Sequence, residues 1–386
     1  MFTSNRDNGY VPHSSTPSDV RWSVLTYNTM LTVPEPIRFN GQNQRAKAIP
    51  EAVYTLHMKS PIDVVVFNEL ISQSDATELL HRLSLLGWRH QSQTIPYAYT
   101  KCQFLSGGVY IVSRYPIVAH GIHVFSSCSG VDCLVSKGVV YCEIVKDDQH
   151  IHIFGTHLQA WNTLGGRTAR HSQLKELATF MRFWVGRTKC PVLLCGDLNI
   201  DRYSQSEALE SALTRLGMCF PTDSVRGHPY TVDPASNTLV GNDDPSMYTS
   251  VSHPNGCYDE YMSTLHCVCC KPEWLDYILY STTHLQPSTC HIRAIRLRCE
   301  PYDMRFSATI TRQHQDLSDH FPLLANFTFP RITSSEKLVV NTRGQWAHPA
   351  DGIHDIFKSL VIYIAAICIV IPVYRLWRAN ELAHKY

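Results

Sequence analysis

The sequence predicts an α/β protein in which two mixed sheets pack face to face, with helices on the outside. Apolar runs of strand length alternate with longer segments in which apolar residues recur every three to four positions. Hairpin spacing in the middle of the chain and longer crossovers elsewhere favour two mixed sheets. With 386 residues, 44% of them hydrophobic, the chain is large enough to bury one large core.

The elements follow from these patterns in chain order. The predicted strands, which are rich in β-branched and aromatic residues, are Trp22–Tyr27, Asp63–Asn68, Gly108–Ser113, Ile117–Phe125, Val139–Val145, Ile151–Thr156, Val192–Cys195, Leu275–Tyr280 and Pro322–Phe329. The predicted helices, which carry an apolar stripe, are Gln44–Met58, Ser74–Leu86, Arg167–Val185 and Ser206–Leu216.

A hydrophobic segment near the C-terminus predicts a membrane anchor. Ser359 to Tyr374 carries no formal charge and is bracketed by Lys358 and Arg375. A full span needs about 20 apolar residues, and snorkelling basic flanks and Trp377 extend a short one. The segment is apolar on every face, which disfavours an interfacial helix. A buried core helix remains an alternative.

These features predict the organisation of the whole chain. It comprises a flexible N-terminus (1–20), a catalytic domain (21–330), a polar linker (331–357), a transmembrane helix (358–378) and a short tail (379–386).

The N-terminal residues lack the apolar core of a signal peptide. We therefore expect the fourteen cysteines to be free thiols and the catalytic domain to face the cytosol, with the tail anchored in the endoplasmic reticulum or another endomembrane. Basic residues after the anchor favour the opposite orientation by the positive-inside rule, but the missing signal outweighs them in this prediction.

A cysteine cluster at 257–270 leaves structural zinc open as an alternative to reduced cysteines in a long loop. Two histidines lie among these cysteines, but the spacing lacks two separated C-x-x-C pairs. The residues concerned are His253, Cys257, His266, Cys267, Cys269 and Cys270.

Short polar islands lie beside apolar runs, where strands leave the core. They are Leu25–Asn28, Val66–Glu69, Gly155–Leu158, Gly196–Asn199, Leu275–Ile278 and Ser318–His320. Taken singly, each is typical of a solvated strand end or a helix cap. As a set they predict a shared cleft.

The residue types in these islands point to metal-assisted chemistry. Glu69 directly follows an apolar strand, so it is either exposed or neutralised by a cation. Asn28 and Asn199 add neutral oxygens and Asp197 adds a carboxylate. Such an oxygen-rich pocket suits Mg²⁺, which keeps several waters and binds substrate phosphate.

Two histidines complete the predicted site. His320 follows Asp319 and takes its orientation from Asp276 if the strand ends converge, which raises its basicity enough to abstract a proton from water. His157 then holds phosphoryl oxygens or stabilises developing charge. A lone histidine is usually a hydrogen-bonded core residue, and only the surrounding islands favour catalysis.

The ordered set resembles the endonuclease/exonuclease/phosphatase superfamily, and longer stretches resemble its neutral sphingomyelinase branch. The resemblance runs from about Trp22 to Phe329. The matching stretches are Ser106–Ile117, His123–Phe125, Ser136–Tyr141, Gly155–Ala160, Tyr230–Asp233, Ser236–Thr238 and Glu273–Ile278.

This resemblance implies a four-layered α/β/β/α sandwich like that of DNase I and a phospholipase C reaction dependent on Mg²⁺, with Mn²⁺ or Co²⁺ as substitutes. Sphingomyelin, or a related phosphosphingolipid, would be cut to ceramide and phosphocholine. By position in the family pattern, Glu69 is the principal metal ligand with Asn28 nearby. His320 is the general base with Asp276 as its partner.

The remaining roles also come from the resemblance. Asp197 and Asn199 position water and phosphate, His157 contacts the phosphoryl group, and Asp319 is a carboxylate beside or behind the metal. Lys137 follows Asp132 by five residues, as in a pair found in eukaryotic members of the family. It either binds the substrate phosphate or pairs with Asp132 on the surface. The long loop 241–272 is expected to line the cleft mouth.

Two other classes of protein share parts of this pattern. A nuclease of the same superfamily would use the same machinery, but it should carry clustered basic residues, and the net charge is only +1. A catalytically silent scaffold is disfavoured because every expected acid, amide and imidazole is present. The expected partner is a membrane sphingolipid, with no nucleic acid. The sequence leaves the oligomeric state open.

Overall fold

The computed structural model describes residues 19–32, 41–98, 103–186, 188–221, 225–237, 239, 271–305 and 311–332. Its strands are β1 (Val20–Leu31), β2 (Val64–Leu70), β3 (His90–Gln91), β4 (Tyr110–Ser113), β5 (Ile117–Val124), β6 (Gly138–Lys146), β7 (Gln149–His157), β8 (Val192–Asp197), β9 (Met218–Cys219), β10 (Val225–Gly227), β11 (Asp276–Ser281), β12 (Thr289–Ala294), β13 (Arg298–Arg305), β14 (Thr311–Asp316) and β15 (Leu323–Phe329). The α-helices are α1 (Gln42–Lys59), α2 (Gln73–Leu85), α3 (Leu164–Val185) and α4 (Ser206–Leu216).

The strands form two large mixed sheets. A seven-stranded sheet has the order β10-β12-β15-β1-β2-β4-β3, and a six-stranded sheet has the order β5-β6-β7-β8-β11-β9. The central pairs β1/β2 and β7/β8 are parallel, whereas most other pairs are antiparallel. Helices α1 and α2 cover the first sheet, and α3 and α4 cover the second. The predicted α/β/β/α sandwich is confirmed.

Strand β2 shows how the sequence builds two cores at once. Successive side chains of a strand point to opposite faces of the sheet. Val64 and Val66 pack into the core between the two sheets. Val65 and Phe67 pack outward with Val53 of α1. Because both faces of β2 are buried, the strand is a continuous apolar run and not an alternating one.

All predicted strands and helices are present, with ends shifted by a few residues. Six further strands, which are short or rich in polar residues, were not predicted: β3, β9, β10, β12, β13 and β14. In β12, for example, only Ile292 and Ala294 are buried, whereas Thr289, His291 and Arg293 are exposed. An alternation with so few apolar residues gives a weak strand signal.

Several predictions fall outside the described residues. These include the transmembrane helix 358–378, the tail 379–386, nearly all of the linker 331–357 and of the N-terminus 1–20, and the cysteine cluster at 257–270. None of the helices in the described ranges is both long enough and apolar enough to cross a membrane.

The expectation of free thiols is wrong for one pair of cysteines. Cys128 and Cys133 form a disulfide, because a 3₁₀ helix over Gly130–Leu134 turns the chain and brings their Cα atoms to 5.1 Å. The spacing of these two residues resembles no common motif, so it was overlooked. Cys142 and Cys195 are buried and reduced, as expected.

A buried arginine joins the two segments that lead into the predicted site. Arg45 of α1 is fully buried, and its Nη1 donates to the carbonyl oxygens of Thr29 at 2.7 Å and Leu317 at 3.1 Å. Its Nη2 donates to Met30 O at 2.9 Å. A single guanidinium therefore ties the end of β1 to the loop before β15 through three buried carbonyl oxygens.

We predict that Arg45→Met lowers the free energy of unfolding by about 3 kcal/mol, because buried carbonyls lose charged hydrogen-bond donors. Chemical denaturation measures this change. Arg82→Met on α2 is the matched control, since the side-chain pair that Arg82 forms with Glu78 is more than one-third exposed, and its loss should leave the unfolding midpoint unchanged. Equal midpoints for the two variants would contradict the role assigned to Arg45.

Candidate active site

The ends of five strands place the predicted residues at one end of the sandwich. In the first sheet, the register of β1 and β2 sets Asn28 opposite Asn68, next to Glu69. In the second sheet, Asp197 at the end of β8 lies opposite His157 of β7 on one side and Asp276 of β11 on the other. Asp197 is therefore the centre of the cluster.

Asn68 ties the two sheets together at this end, a role that the sequence analysis did not predict. It is fully buried, its Nδ2 donates to Thr156 O at 2.9 Å, and its Oδ1 accepts from the backbone N–H of Asp197 at 3.3 Å. Its position directly before Glu69 in the polar island was the available signal. Gly196 permits this close approach, because it has φ +134° and an added Cβ would lie 1.9 Å from Thr156 O.

Glu69 and Asp197 are bridged by one amide. Asn28 Nδ2 donates to Glu69 Oε1 and to Asp197 Oδ2, at 3.1 Å in each case. Asn28 Oδ1 accepts from the backbone N–H of Met30 at 3.2 Å. Glu69 has φ +53°, a conformation that non-glycine residues seldom adopt and that concentrates at functional sites.

The carboxylates carry more negative charge than their surroundings neutralise. Burial and then the charge of Asp319 raise the pKa of Glu69. Burial and then the neighbouring Asp276 raise the pKa of Asp197 to about 7. Both shifts show that the charged forms lack sufficient compensation from the protein alone, which is the condition that a bound cation relieves.

His320 and Asp276 form a buried acid–imidazole pair, as predicted. His320 Nδ1 lies 2.7 Å from Asp276 Oδ2. Burial lowers the pKa of His320, but Asp276, with Asp319 and Asp197, outweighs it and raises that pKa well above the ordinary value. Because Nδ1 is held by the carboxylate, Nε2 is the ring atom left for proton transfer.

His157 is paired with a buried cation. Lys137 Nζ lies 2.9 Å from His157 Nε2, 2.9 Å from Leu158 O and 3.1 Å from Asp132 Oδ2. Burial, followed by the charges of Lys137 and His320, lowers the pKa of His157 well below the ordinary value. Since an ammonium only donates, Nε2 of a neutral His157 accepts this hydrogen bond and the ring proton is on Nδ1.

The pairing of Lys137 with Asp132 is present, but a surface pair is the wrong description. Lys137 is only 3% exposed. The ammonium is drawn inward because it donates to the histidine and the carbonyl as well as to the carboxylate. It therefore contributes positive charge directly beside the carboxylate cluster.

Asn199 and Asp319 lie at the edges of the site. The backbone N–H of Asn199 donates to Asp197 Oδ1 at 2.8 Å, and its Nδ2 donates to Leu158 O at 3.0 Å. Asp319 is half-buried, and its Oδ1 lies 3.1 Å from Ser318 Oγ. Ser318 Oγ donates its one proton to Asn28 O at 2.7 Å, so this serine, for which the polar island predicted no role, links the loop that carries His320 to β1.

The donor atoms are close enough to share a cation. Among the described residues, ligand atoms of Glu69, His157 and Asp197 all lie within 4.8 Å of one another, and so do those of Asp197, Asp276 and His320. Two buried polar atoms at the site, Asp276 Oδ1 and His157 Nδ1, have no hydrogen-bond partner in the described structure. Clustered carboxylate oxygens of this kind suit a hard divalent cation.

Known proteins share this sequence and architecture. A sphingomyelinase C from Bacillus cereus is 28% identical over 335 residues, covering 82% of this chain and 91% of that protein. A phospholipase C from Staphylococcus aureus is 30% identical over 300 residues, covering 74% and 81%. A Staphylococcus aureus beta toxin mutant solved with bound magnesium ions is 27% identical with a TM-score of 0.64, covering 80% and 99%. No protein-family model matches the chain.

The layered sheets and the site at their strand ends define a phosphodiesterase of the endonuclease/exonuclease/phosphatase superfamily, the class that the polar islands predicted. The chain belongs to the sphingomyelinase branch of that superfamily, because its similarity to the bacterial sphingomyelinase C and phospholipase C extends over most of both sequences.

We predict that Asp276→Asn lowers kcat by about 10²- to 10⁴-fold and moves the acidic limb of the pH profile to lower pH. A general base acts in its neutral form, so turnover falls as pH drops through the pKa of His320. Asp276 raises that pKa, and removing its charge lowers it. Initial rates from pH 4 to 9 measure the limb.

Asp63→Asn is the matched control. Asp63 lies before the start of β2, at the opposite end of that strand from the site, and it bonds to Ser23 N and Lys146 Nζ. This variant should keep the wild-type limb. An unmoved limb in Asp276→Asn would contradict the pairing with His320.

Proposed function

We propose that the protein is a Mg²⁺-dependent phospholipase C that hydrolyses sphingomyelin to ceramide and phosphocholine. One observation carries this proposal: the His320–Asp276 pair and the Glu69–His157 cluster share Asp197, so a base and a cation site face one space. The similarity to proteins named sphingomyelinase C, and to a beta toxin with bound magnesium ions, supports the substrate and the metal.

Glu69 would hold the metal, with the Asn28 amide beside it. Glu69 fits because its carboxylate is about one-quarter exposed in a site that raises its pKa. When bound, Mg²⁺ supplies Lewis-acid polarisation of a phosphoryl oxygen, and Mn²⁺ or Co²⁺ would substitute for it. Asp319 is close enough to raise the pKa of Glu69, and it would add to the attraction for the cation.

The proton transfer belongs to His320. Asp276 holds Nδ1 at 2.7 Å, which fixes the ring and leaves Nε2 to accept a proton from the attacking water. The imidazolium that results is stabilised by the same carboxylate. The backbone N–H groups of Leu275 and Asp276 donate to Thr231 Oγ1, at 2.9 and 3.3 Å, which fixes the start of β11.

The other predicted residues would orient the phosphodiester and the water. Asp197 and Asn199 are joined by a backbone hydrogen bond at 2.8 Å, so they form one rigid corner of the site. His157 and Lys137 form the positive side, with the ammonium 2.9 Å from the imidazole. We assign the phosphoryl contact to this pair: the ammonium supplies the positive charge and the donated proton, and His157 Nε2, which accepts from the ammonium, holds it beside the phosphate.

The full-length chain in detergent should hydrolyse sphingomyelin in the presence of Mg²⁺, and EDTA should abolish the activity until Mg²⁺ is restored. A panel of sphingomyelin, inositol-phosphoryl sphingolipid, lysophospholipid and abasic DNA, with released phosphocholine and water-soluble phosphate measured, tests the substrate class. Cleavage of DNA without cleavage of any lipid would overturn the proposal in favour of a nuclease. Unchanged sphingomyelin hydrolysis in EDTA would overturn the proposed requirement for a metal ion.

We further propose that segment 358–378 anchors the protein in the endoplasmic reticulum or another endomembrane, with the catalytic domain on the cytosolic side. The uncharged run from Ser359 to Tyr374 supports the anchor. An anchor would also suit an insoluble lipid substrate, since tethering raises the effective concentration of the active site at the bilayer surface. The Cys128–Cys133 disulfide favours a catalytic domain on the lumenal side of the membrane instead, because disulfides are rare in the cytosol.

Deleting residues 358–386 should move the protein from the membrane pellet to the supernatant after alkaline extraction. Replacing the same segment with a polar sequence of equal length controls for chain length. Protease treatment of intact microsomes should digest the catalytic domain of the full chain. Protection of that domain would reverse the proposed orientation. A deletion variant that stays in the membrane pellet would contradict the proposal that this segment is the anchor.

A further inference from the structure

Exposed apolar side chains gather beside the site. Among the described residues, Val131 is 55% exposed, Leu134 45%, Trp161 43% and Leu164 67%. They lie on two short segments, the 3₁₀ helix Gly130–Leu134 and the turn into α3. We call these four residues the apolar rim. Large apolar groups that face water together mark an interaction surface more often than scattered ones do.

The two segments that carry the apolar rim are fastened to each other. Gln159 Nε2 donates to Ser129 O at 2.9 Å, and Gln159 Oε1 accepts from Ser129 N at 2.8 Å. The backbone N–H of Ala160 donates to Asp132 Oδ2 at 2.8 Å. The Cys128–Cys133 disulfide closes the first segment. The rim is therefore held in place before it binds anything, which reduces the entropy lost on binding.

The apolar rim leads directly into the catalytic cluster. Asp132 lies between Val131 and Leu134 in the sequence, and its Oδ2 lies 3.1 Å from Lys137 Nζ. Lys137 Nζ in turn lies 2.9 Å from His157 Nε2. A molecule that covers the rim would thus lie next to the positive side of the site.

The neighbouring face of α3 is basic. Arg167, His171 and Lys175 are exposed and follow Leu164 at helical spacing. The one acidic residue of α3, Glu176, is half-buried and bonded to His123 and Ser126. A slight burial, followed by the charges of Lys175 and Arg215, lowers the pKa of His171, so the positive charge of this face comes from Arg167 and Lys175.

We propose that the apolar rim and the basic face of α3 dock the catalytic domain onto a lipid bilayer that contains anionic lipids. This inference rests on the proposed function, which requires the site to meet a membrane lipid. Apolar residues that include a tryptophan suit the boundary between head groups and acyl chains. Lysine and arginine next to them are attracted to anionic head groups.

Hydrolysis by the full chain tests the docking. Leu164→Ser should lower the rate on vesicles of sphingomyelin, phosphatidylcholine and phosphatidylserine by about tenfold at subsaturating lipid, since a two-thirds exposed leucine loses its burial in the bilayer. Its rate on a water-soluble chromogenic phosphocholine diester should not change. Leu85→Ser is the matched control, because Leu85 is 72% exposed on α2 and should leave both rates unchanged.

Charge is tested in the same assay. Phosphatidylserine should accelerate hydrolysis by the wild type. Lys175→Glu should remove this acceleration, whereas Lys47→Glu, which alters an exposed lysine on α1, should retain it. Equal vesicle rates for Leu164→Ser and Leu85→Ser would overturn the docking. A change in oligomeric state of Leu164→Ser by light scattering would assign the surface to a second copy of the chain instead.

A measurement without catalysis separates this inference from the proposed function. In vesicles of phosphatidylserine and brominated phosphatidylcholine that lack sphingomyelin, tryptophan fluorescence of the wild type should be quenched more than that of Trp161→Phe. If this quenching is seen with a chain that cleaves no sphingomyelin, the proposed function is contradicted and the docking proposal is supported. If sphingomyelin is cleaved but the two proteins are quenched equally, the proposed function is supported and the docking proposal is contradicted.

Discussion

The concentration of buried negative charge around Asp197 is the constraint on which the rest of the structure depends. Asp197 lies opposite both His157 and Asp276 in the second sheet and shares the Asn28 amide with Glu69 of the first. Burial is the first cause of the raised pKa values of Glu69 and Asp197, and repulsion by a neighbouring carboxylate, Asp319 and Asp276 respectively, adds to it. A divalent cation relieves that repulsion. The same charge raises the pKa of His320, so metal affinity and basicity have one physical origin.

The scaffold withstands this repulsion because neutral and cationic groups fix the strand ends from outside the cluster. Asn68 forms hydrogen bonds from one sheet to the other, and Gly196 permits the close contact with Thr156. Arg45 donates hydrogen bonds to the backbone at the end of β1 and in the loop before β15. Each group acts through backbone atoms and not by touching a substrate. Rigidity of this kind keeps catalytic groups oriented before substrate arrives, which is the larger part of electrostatic catalysis.

The sequence predicted the sandwich and the meeting of the polar islands, because apolar runs mark strands and strand ends converge at sheet edges. His320 and Asp276 were paired correctly because both follow that rule. Asn68 and Ser318 stand in the predicted polar islands, but their roles and that of Arg45 were not predicted, since their partners are backbone atoms distant in sequence, such as Leu317 O for Arg45. Burial of Lys137 and the Cys128–Cys133 disulfide depend on how a single loop folds, and residue patterns do not encode that.

Calorimetric titration with Mg²⁺ is the most direct test of the shared charge cluster. Wild-type protein and Glu78→Gln, which alters an exposed carboxylate of α2, should bind Mg²⁺ equally, whereas Glu69→Gln should lose the binding heat. Equal binding by Glu69→Gln and the wild type, or no binding by either, would contradict the account.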